Sequence, residues 1–197
     1  MKDIITKQEL EEMIGRLENG IDKFILASFF YGLNSCSRYK EQILHLTVDT
    51  IDFENSIINL PDGRTFMMDK LLSSVAKEAI EQKVYIKMGS QGRTNEDYTL
   101  NTDSPFVIKV KPTKSNNDGL SPLTPSGIKK RMTMISDYLG VKVTATILKI
   151  SGVYDLLQSQ ENKMTIMEAE ALLKRNGLSI RRNNLIPMLK EINGGLI

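Results

Sequence analysis

The stretch Ile21–Asn59, IDKFILASFFYGLNSCSRYKEQILHLTVDTIDFENSIIN, decides the fold. Its first third is apolar almost all the way round a helical wheel, through Phe24, Ile25, Leu26, Ala27, Phe29, Phe30, Tyr31 and Leu33. A helix apolar on every face is a buried one. Gly32 and the polar run Asn34–Ser37 end it. A shorter helix is expected from Arg38 to about His45, with Ile43, Leu44 and Leu46 facing inward. The pattern then changes to period two through Ile57, Ile58 and Leu60. Pro61-Asp62-Gly63 makes a turn there, and Thr65–Met68 is the return strand.

Upstream, Thr6 and Glu9 form a capping box, and Ile5 is placed to staple onto Leu10. Leu10, Met13, Ile14 and Leu17 make one apolar stripe, and Asn19-Gly20 stops that helix. Downstream, Asp69 begins a helix to about Lys83, with Leu71, Val75 and Ala79 beside Leu72, Ala76 and Ile80. Residues 88–104 read as a polar loop. Its glycines lack the Gly-Lys-Ser/Thr and the strand-to-helix context of a phosphate loop. Pro105–Ile108 reads as a short apolar strand. A basic connector follows, with Lys109, Lys111 and Lys114 alternating beside amide side chains in a pattern suited to phosphates.

Thr124-Pro125 opens the next helix, with Ile128, Met132, Ile135 and Leu139 inward, Lys129, Lys130 and Arg131 outward, and Gly140 at its end. Thr165 and Glu168 make a second capping box, for a helix to about Arg175 that stops at Asn176-Gly177. Ser179 is read as the cap of a last helix, which Pro187 must kink or restart.

The chain has 197 residues and 41% hydrophobic content, enough for one good core. No apolar run approaches the ~18 residues of a membrane span, and no secretory h-region opens it. Its single cysteine, Cys36, allows no internal disulfide, which fits a reducing cytoplasm. With one Cys and one His, no zinc site is credible, and no cofactor is expected. The net charge of +2 conceals a polarity. Residues 1–104 carry 12 Lys+Arg against 17 Asp+Glu, or −5, and residues 105–197 carry 14 against 7, or +7. A basic half of this kind suits a polyanion partner.

The order of these elements resembles the catalytic domain of the tyrosine recombinases, the phage integrase family. There the opening reads Thr-Gly-Leu-Arg-x-x-Glu-Leu-Leu-x-Leu, then Trp-x-Asp-Ile-Asp. Gly32-Leu33, Ile43-Leu44-x-Leu46 and Asp49-x-Ile51-Asp52 match it. Counting back from Leu46, Tyr39 stands where the family has its first catalytic arginine and Gln42 where it has glutamate; Arg38 is one step out of register. The second box, His-x-Leu-Arg-His-Thr-Phe-Ala, corresponds to Thr146–Val153, with Leu148 in place, Thr146 at the histidine and Lys149 at the arginine. Leu-Gly-His-x-Ser becomes Asn176–Ile180, with Leu178 at the histidine. The counted position of the tyrosine nucleophile falls on Pro187, and no tyrosine follows Tyr154.

That chemistry needs a phenol oxygen to attack phosphorus, and guanidinium forks to stabilise the phosphorane. The resemblance therefore implies a mainly α fold with a small antiparallel sheet (α+β), recombinase-like but without recombinase activity. It covers Thr6 to about Ile192, one catalytic-like domain over 1–197 that is either the C-terminal part of a longer protein or a one-domain relative. The family's prophage repressors reuse this scaffold, which implies a cytoplasmic, DNA-binding regulator of lysogeny. Double-stranded DNA is then the expected partner, met by Arg38, Lys40 and Arg64 in the first half. Lys109, Lys111, Lys114, Lys129, Lys130, Arg131 and Lys149 follow, with Lys174, Arg175, Arg181 and Arg182 near the end. The last two helices, with Arg181-Arg182-Asn183-Asn184 heading the second, also resemble a helix-turn-helix, though with a longer turn. Two rival expectations remain: an active recombinase that borrows a tyrosine from a partner subunit, and an oligomerisation module whose 180–197 tail docks on a neighbour.

Overall fold

The computed structural model describes residues 4–33, 42–60, 63–87, 97–112 and 118–194. In chain order its elements are α1 (Lys7–Arg16), α2 (Gly20–Phe30), β1 (Ile51–Asp52), β2 (Ile57–Asn59), β3 (Thr65–Met67) and α3 (Lys70–Glu81). They continue with β4 (Val84–Tyr85), β5 (Tyr98–Thr99), α4 (Pro125–Leu139), α5 (Ala145–Gln158), α6 (Ile166–Arg175) and α7 (Arg182–Ile192). The fold is mainly helical with small antiparallel sheets, as expected. Among the described residues no helix is long and apolar enough to cross a membrane.

Helix α2 is the axis. Every residue from Ile21 to Phe30 except Lys23 is buried, so α2 has no face to give to water and must be wrapped on all sides. Helices α3 and α5 do most of the wrapping, and two glycines let them come close. A Cβ on Gly20, at the start of α2, would stand 2.5 Å from the Glu78 backbone of α3. A Cβ on Gly152, inside α5, would stand 1.7 Å from the Phe30 carbonyl oxygen at the other end of α2. Both crossings are closed to any other residue.

The two strands of the expected hairpin pair, with one more strand beside them, while Pro61 and Asp62 of the expected turn lie outside the described residues. β1, β2 and β3 make an antiparallel sheet, with Ile51 opposite Ile58 and Ile58 opposite Phe66. The β1–β2 turn is held by Asp52, which accepts from the Asn55 backbone N–H at 3.0 Å and from its side-chain amide at 2.7 Å. The buried side chains fall in two clusters. The larger surrounds α2 and reaches Leu148 in α5; the smaller joins Val153 and Leu157 of α5 to Ala169, Leu173, Leu185, Met188 and Leu189 of α6 and α7. Helix α5 belongs to both.

Several sequence expectations are corrected. Asn19-Gly20 does not stop α1, which ends at Arg16 with Leu17 as its C-cap. Asn19 is instead the buried cap residue of α2, where its amide donates to the Ile86 carbonyl at 2.7 Å. The helix expected up to His45 is, in its described part, a short 3-10 turn at Gln42–Leu44; Arg38–Glu41 lie outside the described residues. The polar loop contains β5, paired with β4 through Tyr85 and Tyr98. Pro105–Ile108 is no strand: Phe106 makes one isolated bridge to Thr47, and burial of Val107 and Ile108 produces the apolar run. Ser179 is not the N-cap of the last helix: α7 starts at Arg182 with Arg181 as its N-cap, and it continues through Pro187. Both capping boxes, at Thr6 and Thr165, form as read.

Asp69 joins three elements. One carboxylate oxygen accepts from the Leu72 N–H at 2.9 Å and so caps α3; the other accepts from Lys7 Nζ of α1 at 2.9 Å and from the Tyr31 hydroxyl after α2. Burial pushes this carboxyl up, but the Leu72 N–H, the Tyr31 hydroxyl and the Lys7 ammonium outweigh it and hold the group below its ordinary 3.8. A carboxyl lowered in the fold stabilises above its unfolded pKa and loses that contribution as pH falls through the folded value. Stability should therefore drop below about pH 4. In Asp69→Asn, which keeps a cap but cannot ionise, about 1 kcal/mol should be missing at neutral pH. The acid decline of the variant should also be shallower. Urea midpoints measured across pH check this; an acid limb identical to the parent's would contradict it.

Candidate nucleic-acid interface

A cleft of about 580 Å³ opens between the hairpin and the C-terminal helices. Its walls come from the end of α2 (Phe30–Leu33), the hairpin (Arg64–Met67), the middle of α5 (Gly152, Asp155, Leu156) and the end of α6 (Lys174–Leu178). The local reasons are already in place. Arg64 directly precedes β3, its carbonyl accepting from the Leu60 N–H at 2.8 Å; Gly152 brings α5 against α2; Gly177, at φ 66°, reverses the chain after α6.

Arg64 crosses the cleft mouth. Its Nη1 is 3.2 Å from where a Cβ on Gly177 would sit, so the guanidinium reaches the turn that follows α6. Lys174 and Arg175 are exposed beside it in the last turn of α6, where cations also complement the helix dipole. Facing them is Asp155, half-buried on α5. Burial pushes its carboxyl up, while Lys7 pulls it down and Asp69 pushes it further up. The cleft thus has a cationic rim over one weakly acidic wall. Sequence reading found the cations but not Asp155 or Tyr31, whose place at the cleft follows only from the α2–α5 crossing.

The other candidate cations divide. Lys129 and Lys130 are exposed on α4 as expected. Arg131 is not on that face. It is buried, its Nη1 donates to Asp22 Oδ1 at 3.1 Å, and it stacks on the Tyr85 ring at 4.4 Å. Lys109 is likewise corrected. It is buried at the C-terminal end of α3, donating to the Ala79 carbonyl at 3.2 Å and to that of Ile80, and burial lowers its pKa. Neither side chain can reach a phosphate.

Lys111 is exposed, its ammonium 5.2 Å from the Tyr98 ring centroid. Lys149 is half-buried and already engaged within the chain. Arg181 is exposed, and exposed Arg182 pairs with Glu170 of α6 at 3.1 Å. Arg38, Tyr39, Lys40, Lys114 and Cys36 lie outside the described residues. Of the positions matched to catalytic groups, Thr146 is exposed at the start of α5, Leu178 is buried in the cleft wall and Pro187 is exposed on α7. Of the 180–197 tail, Leu185, Met188 and Leu189 are buried in the chain's own smaller core. No cluster of three or more His, Cys, Asp or Glu side chains suited to a metal occurs among the described residues.

A mainly helical body around one buried helix, with small antiparallel sheets, is the fold of a tyrosine-recombinase catalytic domain. The crystal structure of XerA recombinase superposes with a TM-score of 0.59 at 14% identity, covering 97% of this chain and 65% of that one. This chain therefore spans just under two thirds of the XerA chain. The profile of the family described as MrpR, C-terminal catalytic domain, matches residues 4–193, and the chain belongs to that family. No curated protein matches it.

Proposed function

We propose that this chain is a non-catalytic, DNA-binding protein on a tyrosine-recombinase scaffold, acting as a transcriptional repressor that maintains prophage lysogeny. The observation carrying the reading is the cleft. Its rim gathers Arg64, Lys174 and Arg175 from distant parts of the chain. The positions that the resemblance assigns to catalysis hold Thr146, Lys149, Leu178 and Pro187 instead. The first group can bind phosphate; the second lacks the phenol nucleophile and the guanidinium fork that the cleavage chemistry needs. The duplex backbone would lie across the cleft mouth, with Lys129 and Lys130 of α4 as further contacts. Arg181 would extend that surface. The protein would act by occupying DNA without cutting it.

An active recombinase is the second reading, favoured by the words "catalytic domain" in the family's description. The two separate in one experiment. The protein is incubated with labelled nicked duplexes from its own prophage's attachment and promoter regions, then run on denaturing gels. The proposal expects no covalent protein–DNA adduct but a mobility shift under native conditions. A phosphotyrosyl adduct would overturn it. Within the shift, Arg64→Ala, Lys174→Ala and Arg175→Ala should each lower the salt slope by about one and weaken binding uniformly across sequences. Lys109→Met should leave the slope unchanged.

A further inference from the structure

A second concavity, of about 570 Å³, lies between α4 and the start of α5, against Phe29 of α2. Its walls include Phe29, Leu44, Ile128, Met132, Val143 and Ala145. The lining hydroxyls of Thr133, Ser136 and Thr144 are already used within the chain, and Thr146, in the first turn of α5, is exposed. Ser136 Oγ donates to the Met132 and Val143 carbonyls at 2.9 and 2.8 Å and accepts from the Val143 N–H at 3.0 Å. Thr133 donates to the Lys129 carbonyl at 3.2 Å. The lining is therefore mostly apolar, and most of its hydroxyls are already engaged.

Its mouth is different. Lys129 of α4 and Lys142 before α5 both line the groove and are exposed. Neither makes an ion pair among the described residues. The N-terminus of α5 opens beside them and adds positive potential. The volume is that of small-molecule sites, about 300–1,000 Å³, which are mostly apolar with a few orienting charges.

We propose that this groove binds a small amphiphilic anion, with an unbranched or aromatic apolar body between α4 and α5 and an acidic headgroup on Lys129 and Lys142. The apolar walls supply affinity and the two ammonium groups supply orientation. A second consequence rests on the DNA reading above: a headgroup on Lys129 takes that cation from phosphate, so the bound ligand lowers DNA affinity.

The test is calorimetric titration of the full chain with decanoate and, separately, decan-1-ol. Decanoate should bind saturably and the alcohol more weakly. Charge reversal in the double variant Lys129→Glu, Lys142→Glu should weaken decanoate about tenfold and leave the alcohol unchanged. Ala145→Phe, which fills the groove, should abolish both. Melting temperatures near the parent's confirm that the variants fold. No saturable binding of decanoate, or decanoate affinity unchanged in either variant, would overturn the site. So would a self-associated form in which the groove is covered and decanoate excluded. Decanoate binding that leaves DNA affinity untouched would sink the coupling alone.

Discussion

Gly152→Ala should abolish the stable fold. The new methyl would fall 1.7 Å from the Phe30 carbonyl oxygen, which is backbone inside a fully buried helix and cannot rotate away. Either α5 lifts from α2 or the end of α2 unwinds. Ordinary overpacking costs about 1–3 kcal/mol, and this contact has no flexible atom to absorb it. We expect a loss of about 4 kcal/mol or more, a large part of the stability of a domain this size. The damage reaches the candidate site directly, because the same crossing sets Asp155 and Leu156 of α5 opposite Tyr31 in the cleft wall. Urea unfolding checks it. A variant with the parent's midpoint would mean that the α2–α5 contact is not as close as described.

Arg131→Met should cost about 3–5 kcal/mol, the range for removing one partner of a buried ion pair. The loss arises from what stays behind. Asp22 is fully buried on α2 and would keep the Tyr85 hydroxyl, at 2.8 Å, and the Asn19 side chain, neither of which carries a compensating charge. Burial pushes the Asp22 carboxyl up against the pull of Arg131, so the stranded group would take a proton in the fold. The pair also ties α4 to the β4–β5 ribbon, because Arg131 lies on Tyr85, whose ring stacks on Tyr98 at 4.9 Å. The double variant Asp22→Leu, Arg131→Met removes both charges and should recover most of the loss, since well-packed apolar replacements of buried pairs are often neutral. A double-mutant cycle by urea melts measures the coupling. Coupling near zero would show that the two groups do not interact. A loss in DNA affinity at full stability would return Arg131 to the binding surface.

The sequence spoke clearly wherever the cause is local. The all-round apolar run of α2, both Thr-x-x-Glu capping boxes, Asp69 as the α3 cap and the left-handed stops at Gly140 and Gly177 all come from neighbouring residues. It was misleading wherever a cation's direction depends on a distant element. Arg131 reads as outward beside Lys129 and Lys130, yet it lies three residues from Ile128 and four from Ile135, on the inward stripe. Its partner was also visible: Asp22 is a lone carboxylate in the helix that has no polar face. Lys109 carried no such signal, since the end of α3 that it caps is about thirty residues away. β5 is not legible in the sequence because two residues in a polar stretch show no period. The cleft itself was not legible, because Tyr31, Arg64, Asp155 and Lys174 share no local pattern and meet only through tertiary packing.

The most direct test of the central claim is the affinity of this chain for random duplex DNA across a salt series. The account predicts measurable binding at low salt and a steep linear fall of log K with log salt, with a slope of about −3 or steeper for several neutralised phosphates. Absent binding at about 50 mM salt, or an affinity indifferent to salt, would contradict it. The cationic rim would then be an ordinary solvated surface.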